Sequence, residues 1–196
     1  MILIVSPHFD DAVFSCGEFI ARHVGEGEEV LVLTVIGDWP EGDIEYPTRW
    51  WEEMAVAGRL GYTATRMLGF VDGKFGQPRS GADLTEKLGG MVEEINPSMI
   101  LVPMGIAHRD HAFVAGPAYT VAHGWGAGIA VYEELPYRVL HPRTAVHSYD
   151  RLHAPESIAN GGFYAEKLAA CKLYTSQYGG DVERCCMAPE RIWRVR

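Results

Sequence analysis

The chain has 196 residues, 47% of them hydrophobic and with charges of both signs interspersed, which suits one substantial core in a single 1–196 domain. A net charge of −9 without any Lys/Arg-rich run excludes a nucleic-acid partner held through its phosphates. No apolar stretch approaches the roughly 20 residues of a bilayer span, and the opening Met-Ile-Leu-Ile-Val has no basic n-region, so a cytoplasmic protein with no membrane span is expected.

In chain order, residues 2–6 form a near-continuous apolar run of the kind seen in strands buried on both faces. Residues 11–24 carry Val13, Phe14, Phe19, Ile20 and Val24 along one helical stripe that closes at Gly25 and Gly27. Residues 30–36 predict a second strand, 48–60 a helix stopped by Gly61, and 65–71 a third strand. A helix over 84–95 ends at Asn96-Pro97, a buried strand follows at 99–103, and a helix spans 111–123. Residues 129–132 predict a fifth strand, 163–174 a late helix and 192–195 an edge strand. Segments 37–47 and 137–160 fit neither period and are expected to be surface loops. Strands alternating with helices imply an α/β fold, a Rossmann-like doubly wound, mostly parallel sheet with helices on both faces.

Cys16, Cys171, Cys185 and Cys186 show no CxxC spacing, which fits free thiols in a reducing compartment rather than zinc ligands.

Two runs carry chemistry. Ser6-Pro7-His8-Phe9-Asp10-Asp11 leaves the first strand, and His108-Arg109-Asp110-His111 follows the strand at 99–103. In an open α/β sheet ligands bind beyond the carboxyl ends of strands, where both runs lie. His8 and Asp11 can converge on one point from a strand-to-helix turn, with Asp10 facing the same cavity. Taken alone, Asp10 or Asp11 could be a helix N-cap and His8 a turn residue. A second His/Asp cluster in a chain with only eight histidines makes capping an insufficient account and points to a metal site.

These runs, with Cys16-Gly17 and Ala21 behind the first, resemble the LmbE-like or PIG-L family of zinc-dependent N-deacetylases, whose members carry Pro-His-x-Asp-Asp and, later, His-x-Asp-His. Weaker echoes run through Arg49, Leu60-Gly61, Leu68-Gly69, Asp72-Gly73, Tyr132-Glu133, Pro136, Lys167 and Ser176-Gln177, so the resemblance spans nearly the whole chain. It departs at Phe9, Ala12 and Glu18, where Pro, Glu and Gly are common, which is expected to alter pocket shape. The resemblance implies His8, Asp11 and His111 as ligands of Zn(2+), and Asp10 as the general base that takes a proton from water. It implies His108 as oxyanion stabiliser or acid, Asp110 as the carboxylate that holds His108 and favours its imidazolium, and Arg49 and Asp72 as substrate contacts.

The substrate class that follows is a small-molecule N-acylated, chiefly N-acetylated, sugar or glycoconjugate, cleaved at its linear amide. One of Trp50 and Trp51 could stack on a sugar ring, although core packing is the commoner role of such aromatics. Solvated loop positions account for His147 and His153 in the long late segment, although one of them could line the pocket. Two other readings use the same residues. Two histidines and a carboxylate also form the facial triad of non-haem iron enzymes, which usually sit on β-barrels. A non-catalytic sugar- or nucleotide-binding α/β domain is the other, weakened because no GxGxxG or GxxxxGK[ST] run follows a strand. Late loops and exposed-looking aromatics would suit a homo-oligomer.

Overall fold

A computed structural model describes residues 1–65, 68–143, 156–157 and 161–195. The elements are β1 (Ile2–Ser6), α1 (Asp11–Gly25), β2 (Val30–Thr34), β3 (Ile36–Asp38), α2 (Glu45–Leu60), β4 (Thr63–Thr65), β5 (Phe70–Val71), a 3-10 turn at Gly73–Phe75, α3 (Gly81–Ile95), β6 (Met99–Pro103) and α4 (Arg109–Trp125). They continue with β7 (Gly128–Tyr132), α5 (Tyr137–Leu140), β8 (Glu156–Ser157), α6 (Tyr164–Cys171), α7 (Gly180–Cys185) and β9 (Ile192–Val195).

Seven strands form one sheet in the order β4-β2-β1-β6-β7-β9-β8. The five strands from β4 to β7 pair in parallel, and β9 and β8 complete the edge antiparallel. Side chains of β1 alternate between two cores, as a pleated strand requires. Ile2 and Ile4 join the cluster under α1, α2 and α6, whereas Leu3 and Val5 join the one under α3 and α4. The expected mostly parallel, doubly wound α/β fold is therefore present.

The chain leaves β1 through α1 to β2 on one side and comes back to β6 on the other, so the topological switch lies between β1 and β6. Ile2, Leu3 and Ile4 stand opposite Met99, Ile100 and Leu101, and β6 runs level with β7 through Pro103 and Tyr132. The carboxyl ends of three adjacent strands thus open on one edge.

Several boundaries differ from expectation. The run at 30–36 divides into β2 and β3, and the run at 65–71 into β4 and β5; β3 and β5 pair with each other in a separate two-stranded sheet. Apolar runs cannot show that a chain changes sheets midway. Helix α2 begins at Glu45, inside the expected loop, because the Asp43 carboxylate accepts the N–H of Tyr46 at 2.9 Å and Pro47 sits in the first turn, where no donor is needed. Part of the expected loop at 137–160 is likewise ordered as α5 and β8. The late helix ends at Cys171 and is followed by α7.

Helix α1 is interrupted. Cys16 departs from helical geometry (φ −133°, ψ 19°), and the N–H groups of Glu18 and Phe19 donate to Glu190 at 2.8 and 3.0 Å. Lys167, fully buried, donates to the same carboxylate at 2.9 Å. The second half of α1 is therefore capped by a residue near the opposite chain end, an anion at a helix N-terminus. All four cysteines are buried and free.

Candidate active site

The turn after β1 is fixed from within. The Ser6 hydroxyl donates to the His8 carbonyl at 2.6 Å and accepts the Ala12 N–H at 3.0 Å. Asp10 stands at the N-cap of α1 but makes no capping bond with its side chain. Its Oδ1 instead accepts from Arg49 at 2.7 Å, while Asp11 Oδ2 accepts the His8 N–H at 2.9 Å. The capping account of this carboxylate pair fails on that geometry.

Asp11 Oδ2 is also the meeting point of two imidazoles. His8 Nδ1 lies 3.2 Å from it and His111 Nε2 3.1 Å. All three side chains are buried, and His111 Nε2 finds no aligned hydrogen bond despite that short distance. A buried ring nitrogen left unpaired beside an ionised carboxylate is suited to binding a cation. Burial alone would raise the Asp11 carboxyl, but His111 and His8 more than reverse this and hold it well below the usual carboxylate range. Burial likewise opposes charge on His111, and Asp11 with Glu134 overcomes it, pushing that imidazole up to about 10. These partners favour a dication at the same point.

Among the described residues a second group, His8, His108 and Asp110, also brings ligand-type atoms together. Its carboxylate is already committed. Asp110 accepts from Arg79 at 2.6 Å, from the Gly73 N–H at 3.2 Å and faces His8 Nε2 at 3.3 Å. Gly73 is required for that approach, since a Cβ there would stand 2.7 Å from Asp110 Oδ1. A guanidinium on this carboxylate disfavours a metal, so the donor set that fits is His8, Asp11 and His111.

That arrangement revises the expectation for Asp110. Its carboxylate backs His8 rather than His108, which it meets through its own N–H donating to His108 Nδ1 at 3.3 Å. Accepting that bond leaves the His108 proton on Nε2. Burial, with His111 and His8 nearby, lowers the His108 pKa and so works against the expected imidazolium.

Arg49 and Asp72 both reach the site and both have protein partners. Arg49 holds Asp10 and lies over the Tyr46 ring, 5.0 Å from its centroid. Asp72 accepts from the Tyr46 hydroxyl and from the Lys74 N–H at 2.7 Å, and stands 3.9 Å from His8 Nε2. Trp50 packs 5.5 Å from Phe9, whereas Trp51 is 71% exposed. Phe9, where Pro is common, is fully buried and packs against the Tyr46 and Trp50 rings. Glu18, where Gly is common, accepts the N–H groups of Gly162 and Phe163 at 3.1 and 3.2 Å. His147 and His153 fall outside the described residues.

Two residues at the site escape sequence reading. Tyr137, first residue of α5, sets its ring 4.7 Å from His111 and 5.6 Å from His108. Glu134 bonds the loop after β6 and faces His111. Their signal was position alone: both follow the carboxyl end of β7, beside β6.

The surrounding fold recurs in solved structures. A deacetylase triple mutant from the teicoplanin biosynthetic pathway superposes with TM-score 0.82 at 21% identity, over 100% of this chain and 97% of that one. The A40926 pseudoaglycone deacetylase Dbv21 gives 0.71 at 26% identity, over 90% and 81%. GalB, a 4-carboxy-2-hydroxymuconate hydratase from Pseudomonas putida, gives 0.62 at 19% identity, over 89% and 82%. One fold thus hosts more than one reaction, and residues must decide between them. No curated protein matches the chain in sequence. The PIG-L family model, described as GlcNAc-PI de-N-acetylase, matches residues 3–122, a segment holding both His/Asp runs, and the chain belongs to that family of N-deacetylases.

Proposed function

We propose that this chain is a zinc-dependent hydrolase that removes an N-acyl group, chiefly acetyl, from an amino sugar or a sugar-containing small molecule. The observation that carries the reading is the convergence of His8 Nδ1 and His111 Nε2 on Asp11 Oδ2, with Asp10 beside it held by Arg49. Two imidazoles and one carboxylate are the donors of catalytic zinc sites, and an α/β sheet in place of a barrel favours zinc over a non-haem iron oxygenase. When bound there, the metal supplies Lewis acidity toward an acyl carbonyl and acidifies water.

The chain's own residues do the rest. Asp10, with one oxygen on Arg49, takes the proton from the attacking water as its oxygen bonds the acyl carbon, and returns it to the amine nitrogen as the C–N bond breaks. His108 donates its Nε2–H to the oxygen that gains charge. Arg49, Asp72 and the Tyr46 and Tyr137 rings stand around the His8, Asp11 and His111 cluster and suit a hydroxyl-rich ligand with apolar ring faces. Support for the sugar comes from the family and from the deacetylase neighbours; four unpaired thiols support a cytoplasmic setting.

The test is incubation of the zinc-loaded protein with a panel of N-acetylated amino sugars and glycosylated metabolites, reading free amine and acetate. Asp10→Asn should retain zinc and lose roughly 10²- to 10⁴-fold in turnover. A hydratase acting through the same residues would release no amine, and equal turnover in Asp10→Asn would refute the base.

A further inference from the structure

Glu134 is a fully buried carboxylate two residues beyond β7. Its Oε1 accepts the N–H groups of Gly105 and Ile106 at 2.6 and 3.2 Å and lies 3.3 Å from His111 Nδ1. Among the described residues His111 is its only ion-pair partner. A carboxylate withdrawn from water without Lys or Arg is costly, and the positive counterpart here is a histidine whose other nitrogen points at Asp11.

We propose that Glu134 is a positioning residue of the metal centre: it holds the Nδ1 proton of His111 so that the Nε2 lone pair faces the point shared with His8 and Asp11. The proposal rests on the metal reading of those three residues. Three observations carry it.

An imidazole has one proton to place when neutral, and a carboxylate at Nδ1 places it there, leaving Nε2 as the electron-pair donor. Nε2 is the buried nitrogen without a hydrogen bond.

The other imidazole is built alike. His8 directs Nδ1 at Asp11 and has Asp110 at 3.3 Å from its Nε2. Each ring is backed by a separate carboxylate on its far side, one from the start of α4 and one from beyond β7, so the two supports arise independently in the sequence.

Glu134 also anchors the loop that leads into His108. That loop turns through left-handed backbone at Gly105 (φ +86°) and Ala107 (φ +57°), and Glu134 binds the N–H groups of Gly105 and Ile106. One carboxylate therefore sets both the ligand His111 and the approach of His108.

Zinc affinity of the metal-free protein, measured by competition with a chromophoric chelator, tests the assignment. Glu134→Gln should weaken zinc binding about 10- to 100-fold, the usual effect of removing a carboxylate behind a metal-bound histidine. Gln keeps the oxygen that serves Gly105, Ile106 and His111 Nδ1 and removes only the negative charge behind the imidazole, so a purely loop-holding role predicts unchanged zinc affinity, and that result overturns the proposal. Failure of the wild-type protein to bind zinc would instead refute the metal reading itself. A measurement independent of any variant is the imidazole nitrogen spectrum of zinc-loaded wild type. His111 should show a slowly exchanging Nδ1–H with the metal at Nε2, and the opposite assignment overturns the proposal.

Discussion

Arg49 and Asp10 are 39 residues apart in the chain and joined by a 2.7 Å bond from guanidinium to carboxylate. Both are buried, and the pairing joins the N-cap of α1 to the second turn of α2. It makes Arg49 a partner of the base before any substrate arrives.

Replacing Arg49 by Gln should therefore lower kcat by about 10- to 100-fold, part of what a positioned general base contributes, with zinc content unchanged. Steady-state kinetics separate this from substrate binding. A residue that only held substrate would raise KM and leave kcat in place.

Metal should govern stability as well as turnover. Zinc held at about 100 times its Kd adds about 2.7 kcal/mol to unfolding. For a chain of this size that raises Tm by roughly 5–11 °C, read in a thermal melt with and without chelator. His111→Ala should abolish the shift. The direction with pH follows from His111, raised from 6.5 to about 10 without metal. Its stabilisation of the metal-free fold is complete below 6.5 and lost as pH climbs through 10. Zinc must displace that proton, so zinc affinity should increase with pH over the same window and binding should release protons to the buffer.

A buried carboxyl behind the site gives a second pH signature. Burial pushes Glu53 up to about 8, against the hydrogen bonds of Tyr174 and Tyr62. The Tyr174 hydroxyl has one proton and two acceptors, Glu53 Oε2 and the Phe9 carbonyl. A protonated Glu53 resolves the conflict by donating to Tyr174, which then donates to Phe9. Because the folded-state pKa exceeds the unfolded one, stability from this group is full below 4.5 and falls between 4.5 and about 8. Glu53→Gln, which keeps the donor at all pH values, should gain in Tm relative to wild type across that interval. A difference independent of pH would contradict the assignment.

Lys167 and Glu190 make a buried pair that also caps the second half of α1. Lys167→Met leaves Glu190 without its cation and should cost about 3 kcal/mol, the lower range for a broken buried pair. Chemical denaturation should register this as a lower midpoint with little change in slope. A neutral outcome would mean that the two backbone donors alone satisfy Glu190.

What the sequence reveals here follows the range of each interaction. Alternating apolar faces of β1, and the helical stripes of α1 and α3, depend on residues a few positions apart and are readable directly. His8, Asp11 and His111 are legible because their residue types are scarce and clustered. Glu134 is neither, being one of two adjacent glutamates, and only the neighbouring position of β6 and β7 singles it out. The contact of the Asp110 carboxylate with His8 is hidden for the same reason: His108 is two residues away in the chain, whereas His8 is 102. The break at Cys16 is equally hidden, since its cause is Glu190.

The switch between β1 and β6 also orders events in time. His8 leaves one strand and His111 approaches from the other, so neither a nascent N-terminal half nor an isolated C-terminal half can present the three donors. Pairing across about a hundred residues is a slow contact to form, because its loop-closure entropy must be met before any of its bonds are made. Tight metal capture should therefore appear only after the central strands have docked, which makes the cation a reporter of completed folding and not a nucleus for it.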